Sequence, residues 1–203
     1  MPVTRRMLLG SAASFAGAVQ ARRGRSQQTP AIKVGVLNDQ SGVYRDDTGM
    51  TSVACAQQAA DEMGSSHGFR TEIVYADHQN KPDVGASIAR QWYDQGVDLV
   101  IDVPTSSVAL AVQNVTKEKN KVYINASAGT TQLTGEQCSP NFVHWTFDTY
   151  MQSRSTGGAL VKQGGDKWYF ITANYAFGLQ LEKDTTALVQ SAGGKVLGSS
   201  AYP

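Results

Sequence analysis

Reactive groups are scarce in this chain. Only two cysteines and three histidines occur among its 203 residues. There is no CxxC pair, and no histidine stands where it would activate Cys55 or Cys138, so redox and thiol-nucleophile roles lack local support. His67, His78 and His144 do not share the spacing of metal ligands, and each reads as a loop or surface histidine. The motifs GxxxxGKS/T, HExxH and GxSxG are missing, as is GxGxxG after a strand, which leaves the commonest phosphate, zinc and serine-hydrolase chemistries without a signature. Charge is thin as well: 17% of residues are charged and the formal net charge is +1. The first 21 residues hold Arg5 and Arg6 and no acid; without them the balance is about −1. Such a surface gives neither nucleic acid nor an anionic membrane a reason to bind.

What is present is an ordinary globular composition, 41% hydrophobic, preceded by a processing segment. "TRRMLLGSAASFAGAVQA" has a basic start, a modest apolar stretch and small residues before a cut after Ala21. That stretch is too short and too rich in Gly, Ser and Ala to span a bilayer. Residues 1–21 read as an export signal, and Arg5-Arg6 suggests the twin-arginine route although the residues after the pair fit it only in part. A disordered basic tail is the alternative. Residues 22–31 read as a disordered lead-in. Export would put Cys55 and Cys138 in an oxidising compartment, where they either pair as a disulfide or remain two independent buried thiols.

From residue 32 the chain alternates. "IKVGVL" is an apolar, β-branched run with the signature of a buried strand, followed by the loop "SGVYRDDTG". Residues 50–64 read as a helix stopped by Gly64, with Val53, Ala56, Ala60 and Met63 at helical spacing. "TEIVYA", "VDLVID" and "KVYIN" are further strands. Between them, residues 81–96 and 105–120 are helices, the first with Pro82 in its opening turn and Gly96 at its end. Alternation with short loops predicts a parallel sheet with helices on both faces, and every strand delivers its loop to one edge. After Thr134 the rhythm breaks at "GEQCSPNFVHWTFDTY", which holds a short aromatic segment over residues 142–147. It then resumes as helix (151–165), strand (167–173), helix (176–194) and an opening strand from Lys195. The glycines at 193 and 194 read as a helix stop. The domains expected are a first α/β lobe over 32–147 and the beginning of a second over 148–203, whose two strands bury too little surface to stand alone.

Ligands of open α/β sheets bind outside the carboxyl ends of the strands, beside helix N-termini. Two stretches carry polar chemistry at that edge. Ser106 and Ser107 open the third helix, where free backbone amides attract anions; one serine can cap the helix and the other is left to donate. "SAGT" leaves the fourth strand through Ser127, Ala128, Gly129 and Thr130, with Gly129 permitting close approach and Ser127 and Thr130 as donors. These groups suit a carboxylate or another small polar head. With no base beside them they do not make a nucleophile.

"KVGVLNDQSGVY", "VDLVIDVPTSSVALAVQ", "YINASAGTTQLTGEQCSPNFVHWTFDTY" and "KWYFITANYAFGLQLEKD" resemble, in order and spacing, the leucine/isoleucine/valine-type periplasmic binding proteins, the type I solute receptors of ABC importers. "CSPNFVHWTFDTY" and "NYAFG" are similar to the branch associated with aromatic acids and other carboxylates. The resemblance implies a type I periplasmic-binding-protein fold, with a Rossmann-like parallel lobe and the start of a second α/β lobe, the two closing on ligand by hinge motion. By position it places the carboxylate-holding serine on Ser106 with Ser107 beside it, and the fourth-strand contacts on Ser127, Ala128 and Gly129. Gly129 stands where amino-acid receptors carry threonine, with Thr130 next door as a substitute hydroxyl. The covering aromatic falls on Phe177, and Tyr44 is a wall of the first lobe.

The function this implies is capture of a small carboxylate, aromatic or amino-acid-like, for transport. The partners implied are that ligand and the membrane subunits of an ABC importer, with a monomeric receptor in the periplasm, no nucleic acid, no stable membrane insertion, no enzymatic activity, no metal and no cofactor. A sensory module of the same fold is the alternative. A secreted hydrolase would need a base near Ser106 or Ser127.

Overall fold

A computed structural model describes residues 30–203. The export signal and most of the lead-in expected from the sequence lie outside the described residues, and Ala31 is already the first residue of a strand. Ala31–Pro203 form one compact unit.

Five parallel strands make the first sheet: β1 (Ala31–Asn38), β2 (Arg70–Asp77), β3 (Leu99–Asp102), β4 (Val122–Asn125) and β5 (Phe142–His144). Their order is β2-β1-β3-β4-β5. β1 and β3 lie in the middle and are the most continuously apolar, as strands covered on both sides must be. Three helices cross between strands: α1 (Gly49–Met63), α2 (Pro82–Asp94) and α3 (Ser106–Lys119). Gly35, Val100 and Tyr123 are register partners across β1, β3 and β4, so they share a face. On that face Val100 and Tyr123, with Leu37, pack against Ala89, Tyr93, Val108 and Val112 of α2 and α3. Burying a side chain of this kind is worth about 1.5–3 kcal/mol. A Cβ on Gly35 would lie 2.5 Å from the Trp92 ring, so glycine there lets α2 sit down on the sheet.

The opposite face carries Val36, Ile101 and Ile124, and α1 covers it over β1 and β2. Toward β4 and β5 a cavity of about 920 Å³ separates α1 from the sheet, lined by those three residues, Cys55, Ala56, Ala59, Trp145 and Phe147 among others. Ala56, at helical spacing with Val53, lines this cavity and is only half-buried, and Met63 at the end of α1 is exposed.

A second sheet pairs β6 (Lys167–Ala173) and β7 (Lys195–Tyr202) in parallel, joined by α5 (Ala176–Ser191). α4 (Thr149–Lys162) packs on α5, where a Cβ on Gly157 would approach the Thr185 methyl to 3.2 Å. The helix stop read at residues 193–194 is present, with Gly193 at φ +91 directly after the α5 C-cap.

The structure corrects several expectations. The aromatic segment contains a fifth strand of the first sheet. α1 does end before Gly64, but that glycine is right-handed; a short 3-10 turn (Ser65–His67) follows, and the left-handed residue is Gly68 at φ +74. α4 starts two residues early because the Asp148 carboxylate accepts from the Met151 amide at 2.7 Å and caps it. His78 is in the loop after β2, as one of its two readings had it, but is fully buried rather than on the surface. Cys55 and Cys138 are both free and both exposed, neither paired nor buried. Cys55 is on α1, whereas Cys138 follows a segment held to α3 by Gln113, whose amide donates to the Leu133 and Gln137 carbonyls. The two thiols lie on opposite faces of the sheet.

Candidate functional site

Parallel strands bring the loops after β1, β3 and β4 to a single edge, and the loop after β6 meets them there. The β1 loop is shaped by Asp39, fully buried, whose carboxylate accepts from the amides of Gly42 at 2.8 Å and Tyr44 at 3.0 Å. A Cβ on Gly42 would lie 2.5 Å from that carboxylate, so the glycine of "SGVY" is needed for the turn. Asp77 at the end of β2 adds a brace, accepting from the Gln40 amide at 3.0 Å and the Ser41 hydroxyl at 2.6 Å. The result is a Tyr44 ring held toward the edge.

The β3 loop is strained. Asp102 and Val103 have φ of +78° and +61°, a region that β-branched residues rarely occupy. The Asn125 side-chain amide holds them there by donating to both carbonyls, at 2.9 Å and 3.1 Å. This bend places Pro104 at the edge and starts α3 directly behind it. Thr105, the N-cap residue, gives its hydroxyl to Asn80 at 2.6 Å and does not cap the helix. The first amides of α3 therefore have no side-chain partner. Ser106 is 1% exposed, and its hydroxyl has no hydrogen-bond partner among the described residues.

After β4, Ser127 donates its hydroxyl hydrogen to Asp102 across the sheet. Gly129 is buried beneath two aromatic rings: a Cβ there would lie 3.1 Å from both Phe147 and Phe177. From the other sheet, Phe177 is in the first turn of α5 and Tyr175 is that helix's N-cap residue. The Tyr175 and Tyr44 hydroxyls are hydrogen-bonded to each other, joining the two sheets. Burial and the Tyr44 hydroxyl both hold the Tyr175 proton well above the ordinary phenol range. Tyr44, Asp47, Pro104, Ser127, Gly129, Phe147 and Phe177 enclose a cavity of about 110 Å³. α1, α3 and α5 all start at this edge without a side-chain cap. α4 carries its cap from Asp148. Uncapped helix starts supply amide hydrogens and a positive field to whatever sits before them. No helix among the described residues is long and apolar enough to cross a membrane.

A family model of periplasmic binding proteins matches residues 31–203. The chain belongs to the periplasmic binding protein family. Its backbone superposes on a periplasmic binding protein from Burkholderia mallei with a TM-score of 0.82 and 46% identity, covering 85% of this chain and 47% of that one. An ABC-transporter solute-binding protein from R. palustris, in complex with benzoate, gives a TM-score of 0.76 at 24% identity, over 85% of this chain and 48% of that one. A "Leu/Ile/Val-binding protein homolog 4" from Brucella abortus is 22% identical over 152 residues, covering 70% of this chain and 36% of the relative. The chain thus spans about half the length of the solved structures and a third of the curated relative. The fold is that of type I periplasmic binding proteins.

Of the residues expected at a binding-protein cleft, Tyr44, Ser127, Gly129 and Phe177 line one cavity. Ser106, Ser107, Ala128 and Thr130 do not line it. Ser106 lies behind Pro104, with Ser107 partly exposed beside it. Ala128 is buried, and its carbonyl accepts from the His144 ring Nε2 at 2.6 Å, which fixes that ring's tautomer. Thr130 is fully buried and caps the short turn Thr131–Leu133 by accepting from the Gln132 amide, so it does not replace a cleft hydroxyl. Ser127 lines the cavity with lone pairs, because its hydrogen is committed to Asp102. Three cavity residues went unread in the sequence: Asp47, Pro104 and Phe147. Only Phe147 had a signal, as part of the aromatic segment.

Proposed function

We propose that this chain is the receptor of an ABC importer and captures a small carboxylate in the cleft between two lobes, 32–147 and 148–203. The observation that carries the reading is the start of α3, where amides without a side-chain cap are accompanied by the buried, unpartnered Ser106 hydroxyl. A carboxylate arriving there would gain charge-assisted hydrogen bonds of about 1.5–3 kcal/mol each. Micromolar affinity requires about 8 kcal/mol, so the remainder comes from burying the ligand's apolar body against Phe147 and Phe177. Family membership supports a binding rather than a catalytic role. The benzoate held by the R. palustris protein and the Leu/Ile/Val description of the Brucella relative support an aromatic or amino-acid-like acid. The receptor acts as a monomer in the periplasm, exported by the signal read in residues 1–21, and delivers its ligand to the importer's membrane subunits.

The test is calorimetry of the full chain with small carboxylates and their neutral amides. Ser106→Ala should weaken binding of an acid by ten- to a hundredfold and leave the weak binding of its amide unchanged. Equal loss for both would make Ser106 a packing residue beneath the cleft. Amides binding as tightly as acids to the unaltered protein would remove the carboxylate altogether.

A further inference from the structure

The β1 loop carries three acids in a short space, and two of them are occupied. Asp39 is consumed by the Gly42 and Tyr44 amides. Asp46 is paired with Arg45, whose guanidinium meets both carboxylate oxygens at 2.8 Å and 3.0 Å. Asp47 differs. Its carboxylate has no hydrogen-bond or ion-pair partner among the described residues, and it lines the cavity that Tyr44, Ser127, Gly129 and Phe177 enclose.

Three polar side chains line that cavity. Tyr44 is engaged by Tyr175. Ser127 has given its hydrogen to Asp102 and keeps only lone pairs. Asp47 has lone pairs alone, since a carboxylate accepts and does not donate. Donors for a ligand carboxylate come from the helix starts, while Asp47 and Ser127 need a donor supplied by the ligand. Closing an acceptor into a site without a donor strips its water and leaves it unpaired. A ligand that is a bare carboxylate leaves Asp47 facing nothing, and adds repulsion between like charges.

We infer that Asp47 is a specificity-determining residue: together with Ser127 it selects carboxylates that also carry a hydroxyl or ammonium donor over otherwise identical acids without one. This rests on the carboxylate reading above and narrows it to bifunctional acids. The discrimination arises where a bound ligand covers Asp47 and excludes water from its carboxylate, which is then left without a donor.

Two matched series test it on the full chain by calorimetry: benzoate, para-hydroxybenzoate and para-aminomethylbenzoate; and isocaproate, its alpha-hydroxy acid and leucine. In at least one series a donor-bearing member should bind tenfold or more tighter than the bare acid, about 1.4 kcal/mol. Asp47→Ala should erase that preference. Asp47 is exposed on a turn, so its replacement leaves the core intact. Asp47→Asn keeps a carbonyl acceptor and removes the charge. It should therefore preserve a preference for hydroxyl and abolish one for ammonium, which tells the two donors apart. Equal binding of all members within every series that binds, or a preference that survives Asp47→Ala, overturns this inference and leaves the carboxylate reading standing. Binding of no member of either series overturns both.

Discussion

The Thr131 hydroxyl donates to the Asp184 carboxylate at 3.0 Å, tying the loop after β4 to α5 of the other sheet. Thr149, at the start of α4, donates to the same oxygen at 2.7 Å, and the Gln180 side chain donates to the other oxygen at 2.8 Å. The nearby Lys183–Glu136 pair, 3.3 Å apart and exposed on both sides, adds little. Asp184 is thus the polar centre of the junction.

Asp184→Ala removes an acceptor shared by three donors and should lower stability by about 2–3 kcal/mol, since hydrogen bonds to charged groups are worth about 1.5–3 kcal/mol. Urea denaturation reads this directly, and amide exchange should quicken along α5 and at the start of α4. An unchanged urea midpoint would mean that the sheets are held by Phe177 and Tyr175 alone.

Asn125→Ala should be at least as damaging. It strips donors from the Asp102 and Val103 carbonyls and an acceptor from the Ser127 amide, whose bond to Asn125 is 3.1 Å. Residues held in sparsely populated backbone regions store about 1–3 kcal/mol each, and the Asn125 side chain is what holds these two. We expect a loss of about 2–4 kcal/mol and weaker ligand binding together. A variant as stable as the original would show that the bend at Asp102 and Val103 keeps itself.

His78 predicts an acid-sensitive fold. Burial lowers its pKa from the ordinary 6.5, and the nearby Asp39, Asp77 and Asp102 carboxylates offset only part of that. The unfolded chain therefore binds more protons than the folded one below about pH 6.5, and stability falls as pH drops through that value until the lowered native pKa is passed. Denaturant midpoints measured from pH 7.5 down to 5 should decline, and His78→Gln should flatten the upper part of the curve. An identical slope in the variant would assign the decline to carboxylates.

Legibility followed the length of the interaction that fixed each feature. β1, β3 and β4 were readable because buried central strands must be apolar runs, and α2 because Pro82 and Gly96 punctuate it within its own turns. β5 was not: its three residues pair on one side only, and nothing local marks Phe142 as a strand. The cavity divided in the same way. The resemblance to binding proteins pointed to Tyr44, Gly129 and Phe177, which line it. Asp47 could not be read, because "RDDTG" presents two adjacent acids and only the turn set by Asp39 decides which one faces the cavity. The direction of the Ser127 hydrogen bond was hidden for a related reason: its partner, Asp102, belongs to a different strand. Cys55 and Cys138 misled because sequence does not show on which face of a sheet each will lie.

Phe177 and Asp184 lie about two turns apart on α5, roughly 10 Å along its axis at 1.5 Å per residue. That spacing returns both side chains to the same side of the helix. One rigid rod thus touches the first sheet at two points, a ring over Gly129 and a carboxylate on Thr131. It works as a calliper: the grip at Thr131 sets the gauge at Gly129, and the width of the cavity there is fixed by a carboxylate that does not line it.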